Sequence, residues 1–171
     1  MTYSPPVRRL VLAIHLTASV GWIGAVIAYL TLAFRPLTTS RILDLRSAWI
    51  AMALIGWWAL VPLALGSLVT GVALSLGTKW GLLRHYWVCF SFVGTIVLTG
   101  VLIAHMPTVD RLAQTARTAT ADQVFALPAD LAHPLVGLAL LIGILILNVY
   151  KPKGLTRRGW RTSTRAEVPQ R

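Results

Sequence analysis

The chain has 171 residues, 56% of them hydrophobic and only 12% charged, with a mean hydropathy of +0.71. A water-soluble domain of this length cannot hide so much apolar surface, so lipid is the solvent that the composition implies. The net charge of +11 does not point to nucleic acid. Most basic residues flank apolar runs or lie in the C-terminal tail, where charge sets topology and meets lipid headgroups. A single cysteine, Cys89, excludes an internal disulfide and a multi-cysteine metal site.

Residues 1–9 form a short polar leader with Pro5, Pro6, Arg8 and Arg9. The first apolar run, residues 10–34, is uncharged and long enough for a ~30 Å hydrocarbon core. It is longer than a cleavable signal peptide and lacks a small-residue cleavage site, so it is expected to stay as a signal anchor. His15, Ser19, Trp22, Val26 and Tyr29 share one of its faces, beside a stripe of Ala18, Gly21, Ala25 and Ala28. Small residues let a second backbone approach closely, so this side is expected to face the bundle. Arg35 and Pro36 end the helix.

A polar connector follows, and residues 47–77 are predicted as the second span, with excess length taken up by tilt or by a kink at Pro62. Trp49, Trp57 and Trp58 read as an interfacial belt. The third span is predicted over residues 85–106, stopped by Pro107. The connector at 108–128 carries Val109, Leu112, Ala113 and Ala116 at helical spacing, the pattern of a short helix lying on the membrane surface. The fourth span is predicted over residues 129–150, with Asp130 and His133 near its start and Pro134 in its first turn. Residues 151–171 are a basic tail with too few apolar residues to fold alone, expected to be disordered. Lys151, Lys153, Arg157, Arg158, Arg161 and Arg165 suit an anionic lipid surface. The expected fold is therefore all-α, a polytopic four-helix transmembrane bundle.

With four spans, eleven basic residues fall on the side of the termini and five on the other, while four of the five acidic residues fall on the other side or at its boundary. The positive-inside rule then places both termini in the cytoplasm of a cell-membrane protein.

The histidines carry what chemistry the sequence offers. His15 lies about five residues into the first span, ~7–8 Å deep, and an ionisable group there is a functional candidate by default. Its alternative role is a neutral imidazole bonded to a serine or carbonyl of the next helix. His85 starts the third span on the same side; His105 and His133 lie near the opposite ends of the third and fourth spans. Imidazole suits haem iron and copper, so His15 with His85, or His105 with His133, are the candidate pairs for haem b or copper. His15 and His105 lie ~20 Å apart along the membrane normal and do not share one iron. No phosphate loop, activated nucleophile or intramembrane carboxylate pair is present, which leans against an enzyme. The competing readings are a non-catalytic subunit, self-associating or binding a membrane partner, and a small transporter.

His15, Trp22 and Gly24 resemble the opening of a bacterial membrane superfamily that includes copper-resistance protein D and the membrane haem-binding protoporphyrinogen oxidase. Val61-Pro62-Leu63 with Thr70-Gly71 resembles its second span. The stretch at residues 79–88, His105, and residues 150–154 look most like an uncharacterised actinobacterial branch. The resemblance covers nearly the whole chain and implies a four-helix bundle with haem or copper affinity. Ser91 stands where relatives often carry a lysine that the oxidase is thought to need, and serine cannot supply that charge.

Overall fold

The computed structural model describes residues 3–77, 81–152, 154–156 and 160. It is all-α and contains four helical segments long and apolar enough to cross a membrane. Among the described residues the only β pairing is an isolated bridge between His85 and Leu155.

Helix α1 runs Pro5–Ala33. The leader is helical, because Pro5 and Pro6 occupy the first turn, where a missing N–H costs nothing and the fixed φ favours helix. A short helix α2, Arg35–Thr38, continues α1 beyond Phe34. The chain then turns back within a few residues. The Arg35 guanidinium meets Asp44 at 2.8 Å, and the Thr39 hydroxyl donates to the same carboxylate.

The second span is one interrupted rod: α3 (Ile42–Ile55), a π-helical turn (Gly56–Leu60) and α4 (Val61–Leu76). Asp44 lies in the first turn of α3, where a negative charge complements the helix dipole. The π turn stands just before Pro62, where an α-helical N–H is missing, and Val61 N–H reaches back to Gly56 O. The expected Pro62 distortion thus takes the form of an inserted turn. Gly56 gives room to Met106: a Cβ there would displace the end of the buried Met106 thioether.

Helix α5 is longer than the predicted third span. It runs Tyr86–Thr118 straight through Pro107. An interior proline costs about 3 kcal/mol. What holds the helix beyond it is packing on α3: Val109, Ala113 and Ala116 are buried. The Arg46 guanidinium donates to the carbonyls of Ala116 and Ala119, the latter at 2.6 Å, satisfying acceptors at the helix end. The apolar spacing at 109–116 therefore marks a packed extension of α5, not a separate surface helix. Helix α6 (Ala121–Phe125) and the segment to Asp130 lead into α7, Ala132–Tyr150.

Helix α1 packs chiefly against α4 and also touches α3 and α7; α5 packs against α3, α4 and α7. The α1–α4 seam is close because of small residues. A Cβ on Gly66 would stand 3.6 Å from Ala18 Cβ, and one on Gly71 would stand 3.2 Å from His15 Cε1. The end of the bundle holding residues 3, 77, 81–86 and 150–156 is called the terminal end below, and the opposite end distal. Most of the core is distal: Tyr29, Leu45, Trp49, Met52 and Met106 are buried there. Trp49 is only 1% exposed, a core residue and not part of a belt, whereas Trp58 is exposed. Gly154–Thr156 do not trail off as expected of the tail. Tyr86 N–H donates to Gly154 O, and Thr156 N–H donates to Arg84 O. Backbone pairing orders these residues where side-chain burial could not. Lys153, Arg157, Arg158, Arg161 and Arg165 lie outside the described residues.

Candidate functional site

Three of the four spans converge at the distal end on one carboxylate. Asp130 precedes α7 by two residues and its side chain is 8% exposed. From α1, the Tyr29 hydroxyl donates to Asp130 Oδ2 at 2.9 Å. From α5, His105 Nε2 lies 2.8 Å from the same oxygen. From the first turn of α7, His133 Nδ1 lies 3.4 Å from Oδ1. The two imidazoles stack, with centroids 3.9 Å apart and planes 23° from parallel. One ligand atom each from His105, Asp130 and His133 falls within 4.8 Å of the others.

This set has the chemistry of a borderline metal site. Two imidazole nitrogens and one carboxylate oxygen suit copper, zinc, nickel or iron. An ion bound at 2.0–2.1 Å to each donor in tetrahedral array needs donor atoms about 3.3 Å apart. The 2.8 and 3.4 Å separations run to different oxygens of Asp130. One ligand atom from each residue lies within 4.8 Å of the others, so binding an ion calls for the side chains to draw together. Tyr29 donates to Oδ2, the oxygen that His105 also approaches, the kind of support that ligating carboxylates ordinarily receive. His133 is half exposed, so one side of the set is open to entry.

Asp130 and Tyr29 were not singled out as site residues from the sequence. The signal for Asp130 was there: it stands three residues before His133, a spacing that shares a helix face. Tyr29 lies on the same α1 face as His15, but its link to Asp130 spans 101 residues and no local pattern reveals it.

His15 sits seven residues past Arg8, about 10 Å along α1. Its Nδ1 lies 3.0 Å from Thr70 Oγ1. The Thr70 hydroxyl itself donates to Gly66 O at 2.6 Å. A hydroxyl has one proton, so toward His15 it accepts; Nδ1 carries the hydrogen and Nε2 is the acceptor. One turn further on, Ser19 and Ser67 bond at 2.8 Å. His15, Ser19 and Ser67 line a half-open cavity of about 410 Å³ between α1, α4, α5 and α7. Ser91 is on the opposite wall. Its hydroxyl donates to Trp87 O at 2.8 Å and accepts from Asn148 Nδ2 at 2.9 Å.

His85 stands at the N-cap of α5, paired through its backbone with Leu155, with its ring 6.2 Å from Trp87. It is not among the residues lining the His15 cavity. The structure thus brings His105 and His133 together around Asp130, and gives His15 a threonine partner on α4.

Fold and site together define an integral membrane four-helix bundle with a His–Asp–His cluster at one end. Comparison with protein-family models, with curated proteins and with solved structures gives no match.

Proposed function

We propose that this protein is a metal-binding membrane bundle that holds one transition-metal ion through His105, Asp130 and His133. The observation that carries this reading is the convergence of three ligand atoms within 4.8 Å, on a largely buried carboxylate bonded by Tyr29. Copper(II) is the preferred ion, since divalent first-row affinities peak at copper and imidazole suits it. An ion is favoured over haem b here because rings stacked at 3.9 Å leave no room for a macrocycle between them. The copper branch of the superfamily that the sequence resembles accords with this choice.

The charge asymmetry of the connectors supports cytoplasmic termini and hence a cluster on the outer face of the cell membrane. A reporter active only in the cytoplasm is then active when fused after Arg171 and silent when inserted between Thr39 and Ser40. The reverse pattern would overturn the orientation.

The metal assignment is tested by loading the detergent-purified protein with copper(II), removing excess ion and counting metal per chain. Wild type and His15→Ala retain about one ion, whereas His105→Ala and Asp130→Asn lose it. Equal retention by wild type and His105→Ala, or none by wild type, would contradict the assignment.

A further inference from the structure

The cavity at the terminal end is separate from the His–Asp–His cluster and has its own chemical logic. It extends along α7 from Leu141 to Lys151, about 15 Å. Cations stand at one end of it only: Arg8 on α1 and Lys151 at the end of α7. Below them the wall is apolar, with Leu12, Leu16, Val72 and Phe92 among its residues. Most of the polar groups that face it are already engaged; His15 gives its Nδ1 hydrogen to Thr70 and keeps Nε2 as an acceptor. Ser19 and Ser67 bond each other, Ser75 donates to Gly71 O, and Ser91 is held by Trp87 and Asn148. A long pocket with a cationic mouth, a largely apolar wall and mostly paired polar groups asks for a ligand with an anionic head and an apolar body.

We propose that this cavity binds one long-chain carboxylate, of the fatty-acid class, head toward Arg8 and Lys151 and chain between α1, α4, α5 and α7. A volume of about 410 Å³ is that of a pocket for one small molecule, and suits a single chain better than a two-chain phospholipid. The carboxylate remains at the headgroup level, where basic residues near helix ends place their charge, while the chain replaces void with contact. The ligand enters along the membrane from the leaflet in which it already resides.

Trp22 and Trp87 line the cavity and report on it. The full-length protein in nanodiscs is titrated with a brominated stearate while tryptophan emission is followed. Quenching saturates and is reversed by excess palmitate. Hexadecanol, which lacks the charge, competes at least about tenfold less well, and Arg8→Gln weakens binding about tenfold. Ser75→Phe, which fills the mouth without removing an interhelical bond, abolishes the saturable component. Asp130→Asn leaves it intact, which keeps this proposal independent of the metal site. Three results would overturn it: linear, non-saturable quenching, as from lipid at the bundle surface; equal competition by palmitate and hexadecanol; or unchanged saturable quenching in Ser75→Phe. Saturable quenching by a brominated phospholipid that palmitate cannot displace would assign the cavity to a bilayer lipid instead.

Discussion

At the distal end of the bundle, Trp49, Met52, Met106 and Val109 are sealed away, and Tyr29 and His105 reach Asp130 from two other spans. At the terminal end the same four spans part around a cavity of about 410 Å³, and its polar residues pair off along the walls. Both ends contain histidine, but in different settings. His105 shares a carboxylate with a second imidazole, a set of donors that a cation can enter. His15 gives its Nδ1 hydrogen to a threonine whose own proton is committed to Gly66 O. An intramembrane histidine is thus explained by packing at one end and by a donor cluster at the other. Composition and depth alone do not separate the two; the partners do.

The contrast in packing can be broken by truncation. Trp49→Ala removes a fully buried ring from the α3–α5 layer and is expected to cost about 3–5 kcal/mol, read as the largest drop in detergent melting temperature. The Trp49 indole N–H has no hydrogen-bond partner, so this loss is packing alone. A small effect would mean that the distal end is not the rigid part of the bundle.

The smaller effect belongs to His15. His15→Ala removes one side-chain hydrogen bond beside an existing cavity and is expected to cost about 0.5–1.5 kcal/mol. His15→Gln should recover most of that, since an amide N–H can reach Thr70 Oγ1. Neither variant changes the metal content. Metal loss in His15→Ala with the fold intact would move the site to the terminal end and reverse the comparison.

Much of this architecture was legible in the sequence. Uncharged apolar runs fix the four spans, and the four- and three-residue steps from Trp22 to Tyr29 mark the face that is buried. Local rules failed where tertiary contacts outweighed them. Pro107 is a stop signal, yet Val109, Ala113 and Ala116 packed on α3, with Arg46 at the far carbonyls, carry α5 another eleven residues. Trp49 has the composition of an interfacial belt, but the direction of its side chain depends on the register of α3 against α5. For the site, the histidines were visible as candidates, and their sorting to opposite ends followed from helix rise. That His105 and His133 meet, and that Asp130 and Tyr29 complete the cluster, depends on how α1, α5 and α7 converge. No periodicity encodes this.

The central claim is that the distal cluster holds a metal ion through two imidazoles and one carboxylate. Its most direct test is electron paramagnetic resonance of the protein carrying one equivalent of copper(II), with the nitrogen couplings resolved by pulsed methods. The account predicts a single copper species coupled to two imidazoles in wild type and to one in His133→Ala, with the His15→Ala spectrum unchanged. A wild-type spectrum without imidazole coupling, or one that His133→Ala leaves unaltered while His15→Ala changes it, would contradict the account.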